Sequence, residues 1–534
     1  MNIKSNIKTA GEKLVDLLAD YGVDTVFGIP GTHSIELYRG LESGRIRHVS
    51  PRHEQGGGFM ADGYARVTGK PGVCFVITGP GVTNISTPMG EAYMDSVPML
   101  VISPVNDPDP NQVNRGRLHE ITRQDAVTRP LAAISETVTK PEDIPEIIHR
   151  AFALFASERP RPVHVNIPLS VIPQPVLEDW TVKTLPVLRR ASDLDIESVV
   201  EALGKASRPV IVAGGGTNGG AAEIQTLGEK ICCPVLTTVA GRGVIPGDHP
   251  LSVGAQLRAP YVQEILEQAD LAIFLGTEFA QTDHWNDDIN IPHQQVWVNL
   301  CPHALERGEG ALSILADCVD FAERLNAELP EPDLSRVVDV HEQCARRRAM
   351  HHRDFTELET RHWKVLKIIR DQVPGDVAIV SDMTQLAYTA VDYLPMQRPN
   401  QWLHPTGYGT LGYGLPAAIG AAIGNPETPV LVVVGDAGLQ YTVQEMTLAA
   451  ELELNIVVLL WNNDALQQIR DDMDNAGIER IGVAQKNPDF IALAKANHWA
   501  AWKVEEFSEI GADLMRGFDT SGPALIQLDE SQVT

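Results

Sequence analysis

The feature that most constrains the fold is a pair of apolar runs, residues 430–434 and 456–460, separated by a helical segment. Apolar runs of this length without polar alternation are typical of strands buried on both faces, so the pair predicts a βαβ unit in a parallel sheet. A right-handed crossover places both strand ends on the same edge of that sheet. Asp436 and Asn463, which follow the two runs, should therefore lie where open α/β sheets bind their ligands.

The chemistry of these two side chains indicates a metal and phosphate site. One carboxylate and one amide carbonyl suit Mg²⁺, which takes one or two carboxylates and completes its octahedron with phosphate and water. Gly438 lies just beyond the first run. Its missing side chain allows backbone N–H groups to approach a phosphate at the positive end of a helix. The sequence therefore predicts a magnesium–diphosphate site at this edge.

The stretch from Gly435 to Asn463 resembles the signature of thiamine-diphosphate enzymes, which reads Gly-Asp-Gly, a spacer and then Asn-Asn. The resemblance implies that Asp436 and Asn463 bind Mg²⁺ through their side chains and that Ala465 binds it through its carbonyl. Ala437 stands where the family has its second glycine. Ala437 and Gly438 are then expected beside the diphosphate.

Predicted strands and helices also alternate in the N-terminal part of the chain, which again predicts a doubly wound sheet. Four motifs here resemble the pyrimidine-binding domain of the same family, and they occur in the same order: Phe-Gly-Ile-Pro-Gly at 27–31, Arg-His-Glu-Gln at 52–55, Ala-Asp-Gly-Tyr-Ala-Arg at 61–66 and Gly-Pro-Gly at 79–81. The resemblance implies that the cofactor is contacted by Pro30, Glu54, Gly79 and Asn84.

Glu54 is the expected catalytic acid. Thiamine acts through an ylid that attacks a carbonyl and then stores the electrons of the broken bond. A carboxyl group bonded to the pyrimidine ring favours the imino tautomer, whose nitrogen removes the proton that must leave. A proton-transfer group positioned in this way contributes about 10²–10⁴-fold in rate. The structural alternative for Glu54 is an acid that only complements a helix dipole.

Length and linkers divide the chain into domains, because 534 residues are too many for one core. Proline-spaced segments at 159–162 and 172–175 end the first of them. We predict an α/β protein with three doubly wound parallel-sheet domains of the thiamine-diphosphate enzyme fold. The boundaries expected are 1–175 for the pyrimidine-binding domain, 190–335 for the central domain, 336–358 for a charged linker and 359–534 for the diphosphate-binding domain.

A glycine-rich segment at 214–220 follows a predicted strand in the central domain and contains GxGxxG, so a Rossmann dehydrogenase has to be considered. The acid expected after the second strand is missing, because residues 234–239 lead into Gly-Arg-Gly at 241–243. By resemblance, this domain holds FAD in acetolactate synthases and is vacant in many decarboxylases. FAD is therefore possible here but not expected.

The resemblance also assigns cofactor contacts in the third domain. It places diphosphate contacts at Thr384 and Gln385, a carbonyl for the cofactor's amino group at Gly409, and at Leu411 the apolar residue that bends the cofactor into its reactive shape. The catalytic glutamate and the magnesium ligands belong to different domains, which this family joins between subunits. A homodimer at minimum, and commonly a tetramer, is therefore implied.

Substrate-selecting residues are expected beside the cofactor. A helix predicted after Asn463 would place Gln468, Ile469 and Asp472 on one face by i, i+3/i+4 spacing, with Asp471 beside them. Acetolactate synthases carry Phe-Gln-Glu before a Thr-Arg-Pro, whereas this sequence has Leu-His-Glu at 118–120. The motifs at 382–388, 402–409 and 461–466 look most like those of 2-ketoarginine (5-guanidino-2-oxopentanoate) decarboxylases.

A guanidinium substrate favours carboxylates in bidentate geometry, which Asp471, Asp472 or Glu120 could supply. His119 or His404 could protonate the enamine that remains after CO₂ departs. The alternative for the acids is helix capping, and the alternative for the histidines is a structural role.

Composition sets the outer limits on function. A net charge of −27 argues against a nucleic-acid or anionic-membrane partner and mildly favours a cationic substrate. Six cysteines without CxxC spacing, and the lack of any apolar run near the ~20 residues of a membrane span, lead us to expect a reduced, cytoplasmic protein. Three functions remain open: decarboxylation of 5-guanidino-2-oxopentanoate to 4-guanidinobutanal and CO₂ with thiamine diphosphate and Mg²⁺, an acetolactate-synthase-like carboligation of two 2-oxo acids, and a non-catalytic binding scaffold.

Overall fold

A computed structural model describes residues 7–107, 115–308 and 310–533. In this part of the chain the strands form three separate sheets, and every pairing between neighbouring strands is parallel. Parallel pairing follows from the repeated order of strand, helix and strand, since each crossover returns the chain to the same edge. The predicted fold class of three parallel-sheet α/β domains is therefore confirmed.

The first sheet lies in the N-terminal part of the chain. Its strands are β1 Thr25–Gly28, β2 Arg47–Val49, β3 Gly72–Phe75, β4 Met99–Val105, β5 Ile134–Thr137 and β6 Val163–Pro168. Their order across the sheet is β2-β1-β3-β4-β6-β5. The helices of this part are α1 Ala10–Asp20, α2 Ile35–Leu41, α3 Glu54–Thr68, α4 Pro80–Met94, α5 Gln124–Thr128 and α6 Ile144–Ser157.

The second sheet belongs to the central part. Its strands are β7 Pro209–Ala213, β8 Val235–Thr237, β9 Leu271–Leu275, β10 Gln294–Asn299 and β11 Leu312–Leu315. They are ordered β11-β10-β9-β7-β8. The helices are α7 Asp193–Lys205, α8 Ala221–Ile231, α9 Pro260–Gln268, α10 Gln281–His284, α11 Pro302–Leu305, α12 Cys318–Glu328 and the connecting α13 Leu334–Ala349.

The third sheet contains the two apolar runs from which the sequence was interpreted. Its strands are β12 Ala378–Ser381, β13 Trp402–Leu403, β14 Val430–Gly435, β15 Ile456–Asn462, β16 Ala500–Lys503 and β17 Ala524–Asp529, in the order β13-β12-β14-β15-β17-β16. The helices are α14 Glu357–Gln372, α15 Gln385–Tyr393, α16 Gly414–Gly424, α17 Asp436–Tyr441, α18 Met446–Glu451, α19 Gln467–Asn475, α20 Phe490–Ala496 and α21 Ile510–Phe518.

The centre of the third sheet is a rigid base for the residues that follow its strands. Every residue of β14 is buried, as are the first six of β15, so both strands are covered on both faces. Full burial of a Val or Leu side chain stabilises a fold by about 1.5–3 kcal/mol. By contrast, α19 has no buried residue and lies at the surface.

Close packing of α3 against α16 joins the first and third sheets. A Cβ on Gly63 would lie 2.0 Å from the carbonyl oxygen of Ala417, and one on Gly420 would lie 1.9 Å from that of Met60. Only glycine permits backbones to approach this closely. The two helices therefore fix how the N-terminal and C-terminal parts of one chain meet.

No helix of the described residues is long and apolar enough to cross a bilayer.

Candidate active site

The predicted magnesium ligands follow adjacent strands at one edge of the third sheet. Asp436 comes directly after β14 and begins α17, and Asn463 comes directly after β15. β14 pairs with β15 along its whole length, with Gly435 opposite Trp461. The βαβ geometry thus places both side chains at the carboxyl edge of the sheet.

Three side-chain and backbone groups converge at this point. One terminal atom of the Asn463 amide lies 3.3 Å from Asp436 Oδ1 and 3.0 Å from the carbonyl oxygen of Ala465, and with the amide oxygen in that position the three form an oxygen cluster. Either a reversed amide, whose nitrogen would donate to both, or a bound cation satisfies such a cluster. One carboxylate and two neutral oxygens form a donor set that fits Mg²⁺.

Asp436 lies in a buried environment that disfavours an isolated negative charge. The side chain is nearly inaccessible, and this burial raises the pKa of its carboxyl group, against the opposing effect of a hydrogen bond from Asn487. Nearby Asp464 adds to the rise. Desolvation and a like charge both favour the neutral acid. A cation at the oxygen cluster would relieve both effects.

Asn487 is a residue of this site that sequence reasoning missed. Its Nδ2 lies 2.6 Å from Asp436 Oδ2 and within 2.9 Å of the side chains of Asn462 and Asp464. No motif or periodicity marks it, because it lies far along the chain from both strand ends.

The residues expected to contact the diphosphate surround the start of α17. A Cβ on Gly435 would lie 2.8 Å from Thr384 Oγ1, so Thr384 reaches the end of β14. Gly438 lies over the Asp382 carboxylate, whose Oδ1 would be 3.0 Å from a Cβ there. Ala437 is buried, and its methyl group is accommodated. Gln385 begins α15 at the same edge.

The loop that carries Gly409 and Leu411 is held by the N-terminal part of the same chain. Thr410 donates from its backbone N–H and its hydroxyl to Glu91, at 3.2 and 2.8 Å. Gly409 has a φ of +68°, in the left-handed region that favours glycine. Leu411 is half-buried in this loop. Glu91 is fully buried, which raises the pKa of its carboxyl group well above the usual range.

Glu54 lies among the other N-terminal residues that were predicted to bind the cofactor. It is the first residue of α3, and its Oε2 accepts a hydrogen bond of 2.9 Å from Asn84 Nδ2. Gly81, in the first turn of α4 just after Gly79, would place a Cβ 3.4 Å from Glu54 Oε1. Pro30 is exposed in the loop after β1.

His119 packs against a second histidine, His33, that the sequence interpretation did not single out. Their ring centroids are 5.1 Å apart in an edge-to-face arrangement, and the Nδ1 atoms of both are buried without a hydrogen-bond partner. Burial, and then the proximity of His119, lowers the pKa of His33. His119 has a φ of +59° and its carbonyl packs against Gly79.

His404 lies elsewhere, between the three sheets. It is 3% exposed, and its Nδ1 is 2.9 Å from Ser381 Oγ. Burial lowers its pKa well below the usual value, so the ring is neutral near pH 7. It lines a cavity of about 460 Å³ together with Arg242 and the glycine-rich turn at 214–220. Within the described residues, no hydrogen bond joins His404 to Glu54 or His119.

The residues predicted to select the substrate divide into two groups. On α19, Gln468 donates to Asp472 at 3.0 Å and accepts from Gln385 Nε2 at 3.0 Å. Asp471 accepts from Gln467 at 2.9 Å, and Ile469 is 47% exposed beside them.

Glu120 forms the second group, in the N-terminal part of the chain and in the same loop as His119. Its carboxylate accepts hydrogen bonds from the backbone N–H groups of Arg115 and Arg117, at 3.3 and 3.1 Å. Both of its oxygens thus stabilise their own loop.

Comparison with known proteins agrees with this geometry. Three family models match the chain: the N-terminal TPP binding domain of thiamine pyrophosphate enzymes at residues 8–126, the central domain at 196–325 and the C-terminal TPP binding domain at 382–528. Thiamine pyrophosphate is another name for thiamine diphosphate.

Full-length relatives give the same result. The probable 2-ketoarginine decarboxylase AruI of Pseudomonas aeruginosa is 47% identical, over 97% of this chain and 94% of its own. The acetolactate synthase isozyme 1 large subunit of Escherichia coli is 32% identical, over 97% and 93%. The chloroplastic acetolactate synthase 1 of rice is 31% identical, over 96% and 83%. The chain belongs to the thiamine pyrophosphate enzyme family.

Proposed function

We propose that this protein is a thiamine-diphosphate- and Mg²⁺-dependent decarboxylase that converts 5-guanidino-2-oxopentanoate to 4-guanidinobutanal and CO₂. The observation that carries the proposal is the 47% identity, over nearly the whole of both chains, to a relative named as a probable 2-ketoarginine decarboxylase. The acidic face of α19 supports the same substrate class.

The cofactor would be held by residues from two parts of the protein. Asp436, Asn463 and the carbonyl of Ala465 would bind Mg²⁺, and the turn at Gly438 would receive the diphosphate. When bound, thiamine diphosphate supplies a nucleophilic carbon and accepts the electron pair released with CO₂. Glu54 would hold a proton at the pyrimidine ring, in a position that Asn84 fixes through its hydrogen bond.

Asp472 is the carboxylate best suited to a guanidinium group. One of its oxygens accepts from Gln468, which is linked in turn to Gln385 at the edge of the third sheet. The side chain lies on an exposed helix face, open to an incoming cation. Glu120 is less suited because its two oxygens already accept backbone hydrogen bonds.

His119 would provide the proton that replaces CO₂ on the substrate carbon. Its backbone carbonyl packs against Gly79, which precedes α4, and the first turn of α4 also borders Glu54. His404 is less suited to donate a proton because burial keeps its imidazole neutral.

Completion of the site would require a second copy of the chain. The Glu54 carboxylate contacts N-terminal residues such as Asn84, whereas Asp436 contacts C-terminal residues such as Asn487. The family joins such halves across subunits, which supports a homodimer at minimum and a tetramer as its commoner form. FAD is not part of the proposal.

A carboligase is the second candidate, because acetolactate synthases are about a third identical over most of this chain. The Leu-His-Glu segment at 118–120, where those enzymes carry Phe-Gln-Glu, favours the decarboxylase. Acetolactate formed from pyruvate alone would favour the carboligase.

The deciding experiment is a CO₂-release screen of purified protein, supplied with thiamine diphosphate and Mg²⁺, against 2-oxo acids with guanidino, amino, branched and phenyl side chains. We expect the guanidino acid to give the highest kcat/KM. Turnover of pyruvate as fast as of ketoarginine would refute the substrate assignment. CO₂ release that persists at full rate in Glu54→Gln would refute the mechanism.

A further inference from the structure

A short segment at residues 483–487 crosses the loop that follows β15. The N–H of Leu466 donates to the carbonyl of Val483 at 2.9 Å, and the N–H of Gln485 donates to that of Asp464 at 3.3 Å. Ala465 and Ala484 form an antiparallel bridge between them. The carbonyl of Ala465 is the backbone oxygen of the proposed metal site, so this segment fixes the backbone from which that oxygen projects.

Asn487 ends this segment with a side chain that connects both strand ends. Its Nδ2 lies 2.6 Å from Asp436 Oδ2, after β14, and 2.9 Å from Asn462 Oδ1, at the end of β15. It also lies 2.8 Å from Asp464 Oδ1. One amide nitrogen thus separates three oxygens that would otherwise face each other in a partly buried place.

Gln440 determines which way this amide points. Its Nε2 lies 3.0 Å from Asn487 Oδ1 and 3.2 Å from the backbone carbonyl of Asp436. Because an N–H of Gln440 faces the side-chain oxygen of Asn487, the side-chain nitrogen of Asn487 points toward Asp436. The Asp436 carboxylate is in turn divided: Oδ2 accepts from Asn487, while Oδ1 faces Asn463 and the oxygen cluster.

We propose that Asn487 is a positioning residue for the metal site. It would hold Asp436 with one oxygen turned toward Mg²⁺ and keep the loop of Asn463 in its binding geometry. The inference rests on the proposed use of Mg²⁺ and thiamine diphosphate. Partners that orient metal ligands in this way typically contribute 10–100-fold to metal affinity or activity.

The test is the Mg²⁺ concentration that gives half-maximal retention of thiamine diphosphate in equilibrium dialysis. For Asn487→Ala we expect this concentration to rise about 10–100-fold. The matched control is Asn425→Ser, because Asn425 is exposed and its amide bonds only Thr428 in the part of the chain described. That variant should bind like the wild type.

Gln440→Ala provides a second variant in case Asn487→Ala does not fold, as judged by circular dichroism. On its own it should also raise the half-maximal Mg²⁺ concentration. Where Asn487→Ala does fold, adding Gln440→Ala to it should raise that concentration by less than Gln440→Ala does in the wild type, since both act on one amide. A half-maximal Mg²⁺ concentration within twofold of the wild-type value, in folded Asn487→Ala or in Gln440→Ala, would overturn this inference but not the proposed function. Wild-type protein that retains no cofactor at any Mg²⁺ concentration would overturn the proposed function as well.

Discussion

The carboxylate of Glu445 accepts a hydrogen bond of 3.0 Å from the backbone N–H of His53, the residue immediately before the proposed catalytic Glu54. The N–H of Arg52 donates to the same carboxylate at 3.0 Å. Glu445 is fully buried and lies so close that a Cβ on Gly56 would be 2.5 Å from its Oε1. The C-terminal part of the chain thus fixes the start of α3.

This relationship predicts a pH-dependent stability. Burial raises the pKa of Glu445 from 4.5 to about 7. The folded state therefore holds the proton more tightly than the unfolded state does. The stability contributed by this proton is fully present below pH 4.5 and is lost as the pH rises through 7. The loss is on the order of 3 kcal/mol.

Glu445→Gln should remove this dependence, because the amide does not titrate. We expect the free energy of unfolding, measured in urea, to fall between pH 5 and pH 8 by more in the wild type than in the variant. If the free energy of unfolding changed equally with pH in the two proteins, Glu445 would already be ionised throughout this range.

Glu54→Gln tests the proposed catalytic acid. The amide keeps the shape of the side chain but does not exchange a proton with the pyrimidine ring. We expect kcat to fall by about 10²–10⁴-fold, while thiamine diphosphate still binds in dialysis. A wild-type kcat would leave Glu54 with only its structural role at the start of α3.

Asp472→Asn tests substrate recognition on α19. A hydrogen bond to a charged group contributes about 1.5–3 kcal/mol, so kcat/KM for the guanidino acid should fall roughly 10–100-fold. The value for a branched 2-oxo acid should stay the same. Asp474→Asn is the matched control, since Asp474 lies on the same helix and pairs with Arg480. A uniform loss with both substrates would argue against a specificity role.

Gly420→Ala tests the packing of α3 against α16. The new methyl group would meet the Met60 carbonyl oxygen at 1.9 Å, which backbone atoms cannot relieve without moving. Overpacking of this kind typically costs about 1–3 kcal/mol, measured as a lower midpoint in urea. Gly204→Ala, near the end of α7 with no atom within 4 Å of the added Cβ, should be neutral or slightly stabilising.

The sequence was sufficient for the fold because its buried strands are bare apolar runs. Residues 430–434 and 456–460 became β14 and β15 almost to the residue. The same patterning placed Asp436 and Asn463 at one sheet edge, since crossover handedness leaves little choice. A site residue can be placed from the sequence when it directly follows a strand, because the strand then determines its position in the fold.

Residues that act across long sequence separations could not be found in this way. Asn487 lies in a segment without periodicity and Glu445 in the predicted helical segment between the two apolar runs, and each meets its partner only after the chain has folded. His33 lies two residues beyond the Phe-Gly-Ile-Pro-Gly motif at 27–31, in which only Pro30 is predicted to contact the cofactor. Hydrogen bonds of this kind leave no trace in spacing or composition, because any polar residue of suitable length satisfies the local pattern.

The hydrogen bonds from Thr410 to Glu91 limit which segments of this protein can be exchanged with those of its relatives. A chimaera that exchanged only the first 175 residues would bring a foreign α4 against a loop shaped for this one. A mismatch there would leave the buried Glu91 carboxyl group without the Thr410 N–H and hydroxyl that now donate to it. A functional chimaera would therefore have to take α4 and the loop that carries Thr410 from the same parent protein.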